Sequence, residues 1–106
     1  MYATLTEQGL RLHDGVPTLE QMQQVVDGYI ETALRIPSTR PGTSIDIYCN
    51  DSGLMDRLPC YYRRATDGVH LAGNLIAVAS NPEGETIALH DEDIPLILGH
   101  LIPFFA

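Results

Sequence analysis

Thr18–Arg35, TLEQMQQVVDGYIETALR, is the stretch on which the fold turns. Leu19, Met22, Val26, Tyr29 and Ala33 recur at three- and four-residue steps, and Val25 and Ile30 widen that face. The period predicts one amphipathic helix over the whole stretch. Thr18 can accept a free backbone N–H of the first turn, and Gln21 can reach back to complete a capping box. Pro37 is expected to stop the helix, because the residue before a proline is pushed out of the helical region. Gly28 in mid-helix costs about 1 kcal/mol relative to alanine. That cost points to close packing on a sheet, opposite Gly73 or a small neighbour. One amphipathic helix cannot bury its own apolar face, so a sheet must cover it.

Upstream, Tyr2–Thr6 and Leu10–His13 read as short strands joined at Glu7-Gln8-Gly9, where Gly9 supplies a positive φ. Downstream, Pro37–Thr43 is a loop. Ser44–Asn50 then alternates, with Ile45, Ile47 and Cys49 pointing one way and Asp46, Tyr48 and Asn50 the other. Asn50-Asp51-Ser52-Gly53 signals a turn, and Leu54–Asp67 reads as irregular. Val69–Ser80 is nearly continuous apolar sequence, expected to form one central strand bent or bulged at Gly73. Asn81-Pro82-Glu83-Gly84 matches a type I turn, from which Glu85–Leu89 returns as a hairpin partner. Asp91-Glu92-Asp93 suits a helix start, Ile94, Ile97, Leu98 and Leu101 form its face, and Pro103 ends it. The expected order is ββαβ-loop-ββα in a single domain, residues 1–106. The class is α+β, a mostly antiparallel sheet of about four to five strands with two packed helices. Val26, Tyr29, Ile45, Ile47, Leu75 and Ala77 are expected to pack as one cluster between helix and sheet.

Composition narrows the function classes. Fourteen acidic residues stand against six basic ones, all arginine, for a net charge of -8. Duplex DNA binding is not expected, since phosphate neutralisation needs clustered cations. The acid suits a partner with a basic surface, or serves only solubility. Met1–Arg11 has neither the basic start nor the apolar run of a signal peptide, and no segment is apolar over a membrane span. A cytoplasmic protein without membrane contact is expected, with Cys49 and Cys60 as free thiols by default and a disulfide between them left open. The apolar ending, Leu101-Ile102-Pro103-Phe104-Phe105-Ala106, either folds back over the sheet or is buried in a homodimer, so monomer and homodimer both stay open.

No GxSxG, P-loop or GxGxxG pattern is present, and no enzyme activity or cofactor is expected. His13, His70, His90 and His100 are scattered, and Asp91-Glu92-Asp93 is explained more simply by the helix dipole than by a metal. The richest functional stretch is Asn50–Thr66, which offers Asp51, Asp56, Arg57, Tyr61, Tyr62, Arg63 and Arg64 as binding residues on a loop. Tyrosine and arginine anchor many interfaces, and Arg63-Arg64 beside Tyr61-Tyr62 has the makings of a phosphate and base site. The alternative for the same residues is structural: tyrosines that cover a core edge and arginines paired with the abundant acid.

Several of these stretches together resemble an uncharacterised domain family of bacteria, their phages and plasmids, the domain of unknown function numbered thirty-eight forty-six. Leu19–Gln23 runs into Gly28-Tyr29-Ile30-Glu31; Asn50, Asp51 and Gly53 are followed by Leu58-Pro59, Arg64-Ala65-Thr66 and Gly73. The chain departs from the pattern at Cys60-Tyr61-Tyr62, where an asparagine is usual, and at Asp27, which replaces one of two paired glycines. The resemblance implies mobile-element origin more than mechanism. The expected role is a small acidic accessory protein that binds an unidentified host or mobile-element protein, with an anti-defence inhibitor or DNA mimic as one version. The alternative is a small-ligand or nucleic-acid-binding module built on Tyr61–Arg64.

Overall fold

In the computed structural model, which describes residues 1–104, the chain runs β1 (Tyr2–Thr6), β2 (Gly9–His13), α1 (Leu19–Val26), β3 (Ile30–Pro37), β4 (Ser44–Asn50) and β5 (Cys60–Arg64). It continues β6 (His70–Ala72), β7 (Leu75–Ser80), β8 (Thr86–Ile87), α2 (Asp93–His100) and β9 (Leu101–Pro103). The class is α+β. The larger sheet is antiparallel in the order β2-β1-β7-β4-β3, with β8 paired to the end of β7. A second antiparallel sheet has the order β6-β5-β9. No helix among the described residues is long and apolar enough to cross a membrane.

The quoted stretch is half helix and half strand, which corrects the single long helix. Its start is as read, with Thr18 Oγ1 accepting from Gln21 N at 3.1 Å and Gln21 Oε1 accepting from Thr18 N at 2.8 Å. The helix stops at Asp27, which takes the left-handed conformation (φ 60°, ψ 45°) while its N–H bonds to Gln23 O. Pro37 ends β3 instead. The stop is completed from a distant strand. Asn50 on β4 donates Nδ2 to Val26 O at 3.1 Å and to Asp27 O at 2.9 Å. These are carbonyls that a helix end leaves without partners. Gly28 lies beneath that amide and not opposite Gly73: a Cβ there would stand 2.5 Å from Asn50 Nδ2.

Because strand side chains alternate, β7 presents an apolar row to each face of the large sheet, while β4 presents one to a single face, Ile45, Ile47 and Cys49. Ile76 and Val78 meet Met22 and Val26 of α1. Ile45, Ile47, Leu75 and Ala77 face the other way, into a core shared with Ala3, Leu5, Tyr62, Leu71, Ile97 and Leu101. The expected single cluster is therefore two, one on each side of the sheet. Tyr29 belongs to neither; it follows the helix and is 73% exposed.

Val69–Ser80 is two strands in different sheets, because Gly73 (φ +79°) turns the chain between β6 and β7. The 81–84 turn closes as expected, Gly84 N to Asn81 O at 3.0 Å. Asp93 at the start of α2 is fully buried and clamps the 37–43 loop. It accepts from Ser38 Oγ at 2.7 Å, Arg40 Nη2 at 2.9 Å and His90 N at 2.8 Å. Burial alone would raise this carboxyl. The His90 N–H, then Ser38 and Arg40, pull harder the other way and hold it below the usual carboxylate range. Of the apolar ending, Phe104 donates its N–H to Tyr61 O at 2.9 Å and sets its ring edge-on to His70, while Phe105 and Ala106 lie outside the described residues.

Candidate functional site

β3 is an outer strand of the large sheet and β6 an outer strand of the small one. Between them opens a cleft of about 430 Å³. Its walls are Glu31, Thr32 and Ala33 on one side and Val69–Ala72 on the other; Cys49, Asn50 and the 51–55 turn close one end, and Arg64 reaches in from β5.

The turn is pinned by its own hydrogen bonds. Asn50 Oδ1 accepts from Ser52 N at 2.8 Å, Ser52 O from Asp56 N at 2.9 Å, and Gly53 O from Leu58 N at 2.9 Å. Arg57 absorbs the reversal with φ 56°. The result is a fixed turn that holds two large apolar side chains in solvent, Leu54 at 67% and Met55 at 85% exposed. Val69 adds a third apolar side chain to the cleft wall.

The electrostatics are one-sided. Arg64 is committed: Nε and Nη2 bond the Asp67 carboxylate at 3.1 and 2.7 Å, and Nη1 bonds Ala33 O at 2.9 Å. Its hydrogen bonds, with that from Val69 N, hold Asp67 below the usual carboxylate range. Glu31 and Asp51 are exposed carboxylates, and neither has an ion pair among the described residues. The Cys49 thiol is pushed up to about 11, first by burial and then by Glu31. It is protonated at neutral pH and offers no thiolate nucleophile. Among the described residues no group of three or more histidine, cysteine or acidic side chains is placed to hold a metal ion.

Of the seven expected binding residues, the structure brings two to the cleft, Asp51 and Arg64. Asp56 and Arg57 lie exposed on the turn, Asp56 accepting from Ser52 Oγ at 3.2 Å. Tyr61, Tyr62, Arg63 and Arg64 are strand, not loop. Tyr62 is buried, donating its hydroxyl to Thr6 O at 2.8 Å, and Tyr61 packs at the core edge; Arg63 is exposed. Tyr62 and Arg64 thus follow the structural alternative. Glu31 was hidden inside the expected helix. Leu54 and Met55 carry a signal of their own, two large apolar residues in a turn-forming stretch.

The residues behind the sequence resemblance gather at this end of the molecule. Asp51 N bonds Tyr29 O at 3.0 Å, Gly73 N bonds Pro59 O at 2.7 Å, and Asn50 sits on Gly28. The family described as Domain of unknown function (DUF3846) matches residues 3–101. The chain belongs to that family. No curated protein and no solved structure matches this DUF3846 domain. The fold explains several of the residues behind that resemblance without a ligand: Gly28 admits Asn50, and Gly73 turns the chain with Leu58 packed against it.

Proposed function

We propose that this DUF3846 domain is an accessory protein of a phage or other mobile element that acts by binding a partner protein at the cleft between β3 and β6. The observation that carries the reading is the pair Leu54 and Met55, held in solvent by a hydrogen-bonded turn. Exposed apolar side chains gathered at a cleft mark interaction sites on soluble proteins, and methionine adapts to varied surfaces. The net charge of -8 and the open carboxylates Glu31 and Asp51 favour a partner with basic character. The mobile-element origin draws on the resemblance alone, and phage or plasmid genes flanking its gene are the expected genomic setting.

Of the two anti-defence versions, inhibition by occupying a host protein's own contact surface fits the cleft better than DNA mimicry. Mimicry would act through a spaced row of exposed carboxylates, whereas the pair that carries the present reading, Leu54 and Met55, is apolar. A nucleic-acid module on Tyr61–Arg64 loses support, because Tyr62 is buried and Arg64 is committed.

The test is affinity capture from a host lysate with wild type and with Leu54→Asp/Met55→Asp. Both positions are exposed, so the variant should melt at the wild-type temperature. Proteins retained by wild type should be lost from the variant. An identical set retained by both would remove the cleft from the argument.

A further inference from the structure

The cleft accounts for Leu54 and Met55 but not for Tyr29. These three are the most exposed large apolar side chains among the described residues, Met55 at 85%, Tyr29 at 73% and Leu54 at 67%. They stand on two turns that one backbone hydrogen bond ties together, from Asp51 N to Tyr29 O at 3.0 Å. Asn50 braces both turns, donating Nδ2 to Val26 O and Asp27 O and accepting from Ser52 N at Oδ1. Tyr29 is therefore held in solvent by the same joint that holds Leu54 and Met55. It forms one wall of a second hollow, about 370 Å³, whose other walls are Glu20, Gln23, Gln24, Asp27 and Gly28 at the end of α1. The C-terminal end of a helix carries negative partial charge and ordinarily draws a cation. Here the last turn of α1 has no basic residue, and the residue at the cap is Asp27. Glu20 and Asp27 are exposed, and neither has an ion pair among the described residues.

Building on the reading of the cleft as a protein-binding site, we infer that the partner's footprint continues past the Asp51–Tyr29 bond into this second hollow, where an arginine side chain of the partner stacks on Tyr29 and is drawn by Glu20 and Asp27. A planar, weakly hydrated guanidinium can lie on an aromatic face while its edge donates to carboxylates. Interfaces concentrate their affinity in a few buried anchors, tyrosine and arginine foremost, and such anchors tend to meet one another across the contact. The two hollows also share one sign. Glu31 and Asp51 line the cleft, Glu20 and Asp27 line the second hollow, and Arg64, the one arginine among the described residues lining either, is engaged by Asp67. A basic partner surface is thus met by open carboxylates along the whole footprint, with apolar contact at Leu54, Met55 and Tyr29.

The probe is N-acetyl-arginine methylamide, titrated into the isotope-labelled full chain and followed by amide chemical shifts, with N-acetyl-citrulline methylamide as its neutral isostere. Saturable shifts at Asp27, Gly28 and Tyr29 are expected with the arginine probe and none with citrulline. Tyr29→Ala removes an exposed ring and should weaken binding about threefold or more while the chain stays folded. Asp27→Asn keeps a residue that tolerates the left-handed backbone and, combined with Glu20→Gln, should weaken it by a similar factor. The absence of saturable shifts overturns the inference, as does equal affinity for citrulline or for Tyr29→Ala. The footprint is read separately, by adding Tyr29→Ala to the lysate capture. Proteins lost from Leu54→Asp/Met55→Asp should also be held less by Tyr29→Ala. If Tyr29→Ala holds them undiminished, the footprint ends at the cleft, and this inference falls while the cleft reading stands. If Leu54→Asp/Met55→Asp loses nothing, the cleft reading falls, and the shared footprint falls with it.

Discussion

Gly28→Ala tests the joint between α1 and β4. An alanine Cβ would stand 2.5 Å from Asn50 Nδ2, inside any real contact distance, and a tight 3.2 Å from its Cγ. Asn50 cannot step aside cheaply. It is 6% exposed, with Nδ2 engaged by Val26 O and Asp27 O and Oδ1 by Ser52 N. Retreat breaks the two bonds to the helix carbonyls, each worth about 1 kcal/mol net, and overpacking strain adds about 1–3 kcal/mol. Removing a glycine from the unfolded chain returns about 0.4–1 kcal/mol. The balance is a destabilisation of about 2–4.5 kcal/mol, or roughly 10–30 °C in melting temperature for a domain of this size. Circular dichroism melts and urea titration measure it. A double-mutant cycle with Asn50→Ala isolates the cause, because Gly28→Ala should lose most of its cost once the amide is gone. A melting temperature equal to or above wild type would refute the packing argument, and equal costs in both backgrounds would place the effect elsewhere.

Val26, 1% exposed against Ile76 and Val78, and Tyr29, 73% exposed, should separate cleanly. Val26→Asp should cost several kcal/mol, about 3 or more, by burying an unpaired charge. Tyr29→Ala should melt with wild type. Asp93 has a carboxyl held below its ordinary range, so its contribution is fully present above that range and is lost as pH falls through the lowered folded value. The melting-temperature advantage of wild type over Asp93→Asn should be constant from about pH 5 upward and shrink below about pH 4. With its thiol raised to about 11, Cys49 should resist a thiol-disulfide reagent at pH 8 in the folded chain and react on unfolding. Rapid modification of Cys49 in Cys60→Ser would contradict its burial.

Local signals in the chain were reliable wherever local chemistry decides the structure. Tyr2–Thr6, Ser44–Asn50, the Thr18 capping box and the Asn81–Gly84 turn stand as the residues alone suggest. The long helix went astray because its stop is tertiary. Ile30 and Ala33 continue the helical spacing by coincidence, and the irregularity between Thr32 and Leu34 hides the alternation of β3. What ends α1 is an asparagine on β4, which no window around Asp27 contains. Gly73 signals a bend, but a bend within one strand and a crossing between two sheets look alike in sequence. The cleft was legible only in Asp51 and Arg64 for the same reason. Its walls come from β3 and β6, which pair with different sheets.

The position of β7 sets how the chain can fold. It hydrogen-bonds to β1 on one side and β4 on the other, so two hairpins made early in the sequence are joined only by residues 75–80. During synthesis the β1–β2 and β3–β4 hairpins emerge first, each with an edge that has no neighbour. Such pairs are marginal alone, and closing a sheet across so many residues is slow. The nascent chain therefore carries unpaired edges until β7 leaves the ribosome. Fragments ending before Leu75 should populate an aggregation-prone state, while those reaching Ser80 should gain protection of β1 and β4 amides together in one cooperative step.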